Sequence, residues 1–308
     1  MRQVAASYGI AVPDLSQHAD DVFSDLIDGL SCLGKVVVLI DEYDKVLSDN
    51  VFSEQVEELR TVLGNFYQVV KTKGALLRFV FITGVTKYAR LSVFSKMNNL
   101  KDLSLSPAYA TMLGYTQKEL EGNFAGYIEQ GIKDTGMGRE AYLGKVREMY
   151  DGYRFVPGCE TVYNPVSVGN FFNPEDGGGV RFNDYWIETG SSRLVMDMAQ
   201  SVDLDVTEDL KRGMAKRSLA TFDVAELGRM KGDADKVQAF LLQTGYLTID
   251  RADEAKGLYY LRMPNREVAD AYDGSLLERL REKPVEHELG DMCDALKAGE
   301  TGRYMEIL

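Results

Sequence analysis

Two adjacent carboxylates follow an apolar run early in the chain. Val36 to Ile40 is apolar and mostly β-branched, and Asp41-Glu42 comes directly after it. Such a run predicts a strand buried on both faces, as in parallel sheets covered by helices. At the carboxyl end of such a strand, one acid can hold a magnesium shell and the next can face a water that attacks a phosphate. The pattern is that of a Walker B strand, with Asp41 as the metal ligand and Glu42 as the catalytic acid. A buried strand that merely ends in solvated acids is the alternative.

A second apolar run ends in a small hydroxyl residue. Leu77 to Ile82 predicts another buried strand, and Thr83-Gly84 follows it. In P-loop ATPases the strand beside the Walker B strand carries a sensor residue that contacts the terminal phosphate or the attacking water. Thr83 is the candidate for that role, and the other interpretation is that Thr83-Gly84 only begins a turn.

A phosphate-binding loop is not found among the 308 residues. Neither G-x-x-x-x-G-K-[ST] nor a G-x-G-x-x-G after a strand occurs in the chain. The glycine run Gly177 to Gly179 lies in an acidic stretch without a following Lys-Ser. The two carboxylates therefore lack a partner loop that would bring them a nucleotide.

The elements around these motifs alternate in type. Helical spacing of apolar residues predicts amphipathic helices over 16–33, capped by Ser16, and over 52–72. With the two strands, the order is helix, strand, helix, strand, as in a doubly wound α/β layer. A short strand-like stretch, Asp102 to Leu105, follows before Pro107.

The second half of the chain has a different pattern. Thr116 to Glu119 is a capping box that opens a helix-rich region, 116–215. Residues 216–285 then have the layout of a small winged-helix unit. Its predicted elements are a helix at Asp233 to Gln243, strands at Tyr246 to Ile249 and Leu258 to Met263, and a closing helix capped by Asn265.

Composition narrows the function classes. The net charge of −13 disfavours broad, sequence-independent nucleic-acid binding. The predicted helix before the wing, Asp233 to Gln243, has one basic residue, Lys236, beside Asp233 and Asp235. We therefore expect that helix to pack against protein and direct DNA binding to be weak. Three distant cysteines and no apolar run of membrane-spanning length predict a cytoplasmic protein with reduced thiols.

Several short segments of the sequence resemble segments of a known protein family and follow one another in the same order. The chain is similar, over nearly its whole length, to the AAA-ATPase-like domain of bacterial and archaeal proteins that often end in a PD-(D/E)XK-type nuclease domain. The matching blocks are Gly34 to Lys45, Arg78 to Lys87, Asn98 to Leu105, Tyr109-Ala110, Gly114 to Thr116, Tyr150 to Tyr153, Val162 to Pro165, Tyr185 to Gly190, Gln243 to Thr248 and Pro264 to Val268.

The resemblance implies an incomplete P-loop core of the AAA type, with ATP and Mg²⁺ as ligands. The implied parts are a partial core at 1–115, a helical lid at 116–215, a winged-helix unit at 216–285, and a linker at 286–308 toward a missing C-terminal domain. Family members begin with a strand and a Gly-Lys-Ser loop upstream, so we expect that segment to be missing here. Glu254-Ala255-Lys256 fits the short nuclease motif but lies in a predicted turn.

Two hypotheses of different class follow. The chain is a fragment of an ATPase, inactive alone until the phosphate-binding segment is supplied, or it is a nucleotide-free scaffold whose winged helix binds a partner. The sequence leaves the arginine finger open, and Arg90 and Arg193 are only candidates.

The absence of the strand that carries the phosphate-binding loop would have a structural consequence. In AAA-type cores the strand that carries the phosphate loop lies beside the sensor strand. The missing strand would then lie between Leu77 to Ile82 and the stretch at Asp102 to Leu105. We expect residues 35–105 to be loosely packed in the isolated chain, with ATP binding too weak to measure, and 116–282 to be better protected.

Overall fold

A computed structural model gives the architecture of most of the chain. The chain forms two compact units, the first being Met1–Leu103 with Ser201–Asp203 and Ser218–Thr244, and the second the remainder. The predicted four-part division at residues 115, 215 and 285 stays a prediction. The structure describes residues 1–10, 18–50, 53–84, 100–173, 180–186, 214–216, 234–253, 255–256, 258–272, 295 and 297–298.

The first unit alternates helices and strands, as the sequence predicts. A single turn of 3₁₀ helix, Gly74–Leu76, leads into its second strand. The elements in chain order are helix α1 (Arg2–Ser7), helix α2 (Ala19–Ser31), strand β1 (Val36–Ile40), helices α3 (Lys45–Asp49) and α4 (Val56–Thr72), and strand β2 (Leu77–Ile82).

Strands β1 and β2 pair in parallel. Val37 lies opposite Phe79 and Ile40 opposite Ile82, with one irregularity after Val36. A parallel pair needs a crossover connection, which α3 and α4 provide. The predicted α/β arrangement with a parallel sheet is thereby confirmed, as a sheet of two strands within the described residues.

The prediction that these strands are buried on both faces is wrong. Val38 is buried, but Val37 and Leu39 are 50% and 69% exposed, and Phe79 on β2 is 54% exposed. Side chains alternate between the two faces of a sheet, so one face packs inward while the other presents apolar side chains outward. An apolar run alone does not distinguish a strand that is buried on both faces of the sheet from a strand that is buried on one face.

Helices α2 and α4 pack together through an aromatic pair. Phe23 of α2 stacks on Phe66 of α4, with ring centroids 4.6 Å apart. Ile27 of α2 and Val70 of α4 are almost completely buried. The predicted helix at 16–33 is confirmed in its central part, since α2 begins after His18, and the proposed cap Ser16 lies outside the described residues.

Two boundaries differ from the prediction. The helix expected over 52–72 begins at Val56, and the separate short helix α3 precedes it. The strand expected at Asp102 to Leu105 is not formed: residues 102–103 have no regular secondary structure, and residues 104–105 form a turn before a 3₁₀ turn at Pro107–Tyr109. Proline fixes φ near −65° and cannot donate to a ladder, so Pro107 favours a turn here.

The second unit contains a small helical core. Its helices are α5 (Gln117–Asn123), α6 (Ala125–Thr135), α7 (Arg139–Tyr150) and α8 (Pro165–Phe171). The predicted capping box is confirmed, since Thr116 accepts from the Glu119 amide and the Glu119 carboxylate accepts from the Thr116 amide. The core of this bundle is rich in aromatic residues, among them Tyr142, Tyr150, Tyr163, Phe171 and Phe172.

An antiparallel sheet follows in the chain. Strands β3 (Met214–Lys216), β4 (Thr248–Asp253) and β5 (Leu258–Arg262) form it in the order β3, β5, β4. The predicted hairpin is present, but β4 begins two residues later than expected. Helix α9 (Ala234–Gln243) precedes β4, and helix α10 (residues 266–272) follows β5. As predicted, the Asn265 side chain accepts from the amide of Val268.

Candidate functional site

The carboxyl ends of β1 and β2 meet at one point, as their parallel pairing requires. The Thr83 amide donates to the Ile40 carbonyl at 2.9 Å, and the Tyr43 amide donates to the Thr83 carbonyl at 2.9 Å. These two hydrogen bonds continue the ladder one step beyond the strands. The residues after Ile40 and Ile82 are therefore held together by backbone contacts.

The structure brings Asp41 and Thr83 into direct contact. The Thr83 hydroxyl donates a hydrogen bond to Oδ1 of Asp41. The same carboxylate oxygen accepts the Glu42 amide at 3.0 Å. Asp41 is exposed at the end of the sheet. The carboxylate is thus oriented from two sides and offers hard oxygen ligands of the kind that magnesium prefers.

Glu42 lies in a strained backbone conformation. Its φ of 50° is the one positive value for a residue other than glycine in the part of the chain that the structure describes. This left-handed conformation costs about 1–2 kcal/mol for an L-residue, and it persists where the surroundings fix it. The Glu42 side chain is exposed at the same end of the sheet as Asp41.

Two residues that sequence reasoning missed lie beneath this turn. Tyr67 of α4 donates its hydroxyl to the Tyr43 carbonyl at 2.9 Å. Asp44 is 1% exposed. Burial first, and then the charge of Asp44, raises the pKa of Tyr67 to about 12. Both residues had a signal: Asp44 ends the acidic run that starts at Asp41, and Tyr67 follows Phe66 of the apolar stripe with a polar group at its tip.

Gly84 allows the turn to pack closely. A Cβ added at Gly84 would overlap the ring of Tyr43 and would lie 2.6 Å from Oδ1 of Asp44. Any larger residue at this position would displace the turn after β1. The sequence indicates Gly84 only as a turn residue, whereas the structure shows that its missing side chain makes room for Tyr43 and Asp44.

The structure does not describe the other candidate residues from the sequence. The candidate arginines Arg90 and Arg193 fall outside the described residues, as does Glu254 of the short nuclease motif. Within the described ranges, no three His, Cys, Asp or Glu residues are grouped as a metal site. Nor does any helix in those ranges have the length and apolar character to cross a membrane.

A second polar centre lies inside the second unit. Glu267 of α10 is completely buried, and its pKa is raised to about 7, chiefly by burial. Its carboxylate accepts hydrogen bonds from the hydroxyl of Ser167 and from the backbone amides of Tyr185 and Trp186. Sequence reasoning placed Glu267 in a matching block but assigned it no role.

Most of the chain is similar to a protein of known sequence from a bacterium. The chain is 32% identical over 286 residues to a protein of Azotobacter chroococcum mcd 1 described as "Uncharacterized protein in vnfD 5'region". The match covers 90% of this chain and 50% of the relative, so the chain spans about half of that relative's length.

The similarity to a protein family lies in the first unit. No solved structure matches the chain. A family model matches residues 2–94, which contain β1, β2, the Asp41–Glu42 turn and Thr83. Residues 2–94 are thus similar to the AAA-ATPase-like family, described as predicted AAA-ATPase.

Proposed function

We propose that the first unit provides the metal- and water-handling half of an ATP-hydrolysing site. The observation that carries the proposal is the hydrogen bond from Thr83 to Asp41 at the shared carboxyl end of β1 and β2. In open α/β sheets, ligands bind at this end of the strands. The match of residues 2–94 to a family of predicted ATPases supports ATP as the nucleotide.

Each residue has a separate role in this proposal. Asp41 would hold the shell of a magnesium ion, which would offset the charge that develops on the phosphate oxygens. Glu42 orients the attacking water and accepts its proton on a carboxylate oxygen. Thr83 fixes the Asp41 carboxylate, and its oxygen retains lone pairs that can accept a hydrogen bond from that water.

Asp41, Glu42 and Thr83 need a phosphate-binding loop to complete an ATP site. No G-x-x-x-x-G-K-[ST] occurs in the 308 residues. We propose that a phosphate-binding segment elsewhere in the whole protein completes the site, and that the 308 residues alone are inactive. The exposed side chains of Val37, Leu39 and Phe79 support an additional covering segment on the sheet.

A nucleotide-free interaction scaffold is the second candidate, and the second half of the chain favours it. The sheet order β3, β5, β4, with α9 before the hairpin in the chain, is compatible with a winged-helix unit. Val237, Phe240 and Leu241 of α9 are buried, so that side of the helix is not available to read DNA, and we propose a protein as the partner of such a unit. A fused nuclease domain remains a further proposal for the whole protein.

One experiment separates the two candidates. Magnesium-dependent release of phosphate from ATP would be measured for the whole protein and for its Glu42→Gln variant. Hydrolysis by the parent that is lost in the variant supports the ATPase. An inactive parent that also fails to bind ATP in calorimetry supports the scaffold. Equal hydrolysis by both proteins contradicts the assignment of Glu42.

A further inference from the structure

We propose that Tyr67 is a positioning residue that fixes the Asp41–Glu42 turn through the backbone carbonyl of Tyr43. The inference rests on the proposed function, because it assigns Tyr67 a part in the same site. Tyr67 lies 24 residues beyond Tyr43 and contacts the turn from below. It touches neither the nucleotide nor the water in this proposal, so its effect is exerted through the backbone.

The contact is well defined. The Tyr67 hydroxyl is 2.9 Å from the Tyr43 oxygen, and the Tyr67 side chain is 5% exposed. Its ring packs edge-on against the rings of Tyr43 and Phe66, at centroid distances of 6.3 and 5.4 Å. Helix α4 runs for 17 residues and packs on α2, so the phenol is held by a rigid element.

The hydrogen bond adds to the restraints on a strained backbone. The Glu42 amide donates to Asp41, the Glu42 carbonyl accepts from Lys45, and the Tyr43 amide donates to Thr83. These three bonds come from residues next to the turn or from the adjoining strand end. The bond from Tyr67 joins the turn to the long helix α4. Because it fixes the peptide group after Tyr43, it limits how far Glu42 can relax from its φ of 50°.

The acid–base chemistry of the Tyr67 hydroxyl keeps it a hydrogen-bond donor. Burial and the neighbouring Asp44 charge raise the pKa of Tyr67 to about 12. The hydroxyl therefore keeps its proton at every pH at which an ATPase of this kind works.

The test compares three forms of the whole protein with Mg²⁺ and ATP as the probe. Tyr67→Phe removes the hydroxyl and keeps the ring, and Tyr8→Phe removes a hydroxyl from a side chain that is 58% exposed in the same unit. We expect Tyr67→Phe to lower kcat about 10- to 100-fold with KM for ATP nearly unchanged, because small displacements of a catalytic group have effects of that size. Tyr8→Phe should match the parent in both constants.

A second variant disturbs the same turn independently. Gly84→Ala places a methyl group against Tyr43 and Asp44, and it should reproduce the fall in kcat with KM kept. If Tyr67→Phe does not fold, an unchanged kcat in Gly84→Ala still overturns the inference, because turnover would then not depend on the position of this turn. A kcat within about twofold of the parent in the folded variants overturns the inference, since that is well short of the effect expected of a displaced catalytic group.

The proposed function is judged by Glu42→Gln in the same assays. Loss of turnover in Glu42→Gln together with full turnover in Tyr67→Phe contradicts only the positioning role. Full turnover in Glu42→Gln contradicts the proposed function and leaves Tyr67 with no base to position.

Discussion

Ser167 donates a 2.8 Å hydrogen bond to Glu267 although 100 residues separate them in the chain. Both side chains are completely buried. The other oxygen of Glu267 accepts the amides of Tyr185 and Trp186 at 2.7 and 2.9 Å. One carboxylate thus joins α8, the segment at 180–186 and α10. Burying a charge is unfavourable unless it is well paired, so this contact makes the second unit sensitive to the protonation of Glu267.

The first prediction concerns pH. The pKa of Glu267 is raised from 4.5 to about 7, chiefly by burial and to a smaller extent by the charge of Asp184. The folded state therefore binds a proton that the unfolded state releases. The stabilisation from this proton is full below pH 4.5 and is lost as the pH rises through 7. The corresponding change in the free energy of unfolding is about 3 kcal/mol.

The matched variants for this prediction are Glu267→Gln and Glu140→Gln, the latter at an exposed position of the same unit. The free energy of unfolding would be measured by urea titration from about pH 5 to about pH 8, which spans the raised pKa. Glu267→Gln should remove the decline across this range, and Glu140→Gln should retain it. An unchanged decline in Glu267→Gln would show that other groups cause it.

The second prediction concerns the proposed catalytic acid. Glu42→Gln keeps the shape of the side chain but removes the base. ATP turnover by the whole protein should fall by about 10² to 10⁴-fold, while the dissociation constant for ATP stays close to that of the parent. Single-turnover kinetics and calorimetry measure the two quantities separately.

The third prediction concerns the proposed metal ligand. Asp41→Asn leaves an amide where the Thr83 hydroxyl now donates to a carboxylate. Because magnesium prefers anionic oxygen ligands, the variant should lose the magnesium-dependent part of ATP binding and keep the part measured in EDTA. Equal magnesium dependence in Asp41→Asn and the parent would remove Asp41 from the site.

The fourth prediction concerns the two units of the isolated 308-residue chain. Val37, Leu39 and Phe79 expose an apolar sheet face, and β1 pairs only with β2 among the described residues. In a hydrogen–deuterium exchange experiment, the backbone amides of β1 should therefore exchange faster than those of α7, whose Tyr142 and Val146 are fully buried. ATP titration should show no binding. Slow exchange across β1 together with micromolar ATP affinity would contradict this prediction.

The fifth prediction concerns nucleic acid. The inward side of α9 is buried at Val237, Phe240 and Leu241, as the apolar spacing indicates, and the net charge is −13. The chain should therefore not bind duplex DNA tightly at physiological salt, and Lys236→Ala should have no effect in fluorescence anisotropy. Tight binding by the parent that Lys236→Ala abolishes would show that α9 contacts DNA.

The local pattern of the sequence is enough for several elements. Apolar runs identify β1 and β2, and helical spacing identifies α2 and α4. The Thr116 capping box and the Asn265 cap are likewise readable, because each depends on residues within three positions. The parallel pairing agrees with the α/β order of the sequence, because parallel strands need a long crossover connection and helices lie between these two strands. These features depend on contacts that are short in sequence or fixed by connectivity.

Only the tertiary structure decided that the strands of the first unit are covered on one face and not on both. The run Val36 to Ile40 is equally apolar on both faces, yet one face is exposed, and Asp102 to Leu105 forms no strand beside Pro107. The sequence by itself identified Asp41, Glu42 and Thr83 as candidates. It did not reveal that Tyr67 supports their turn or that Glu267 joins three segments, because those contacts span 24 to 100 residues. Contacts at such distances are set by how whole elements pack, which a local pattern does not contain.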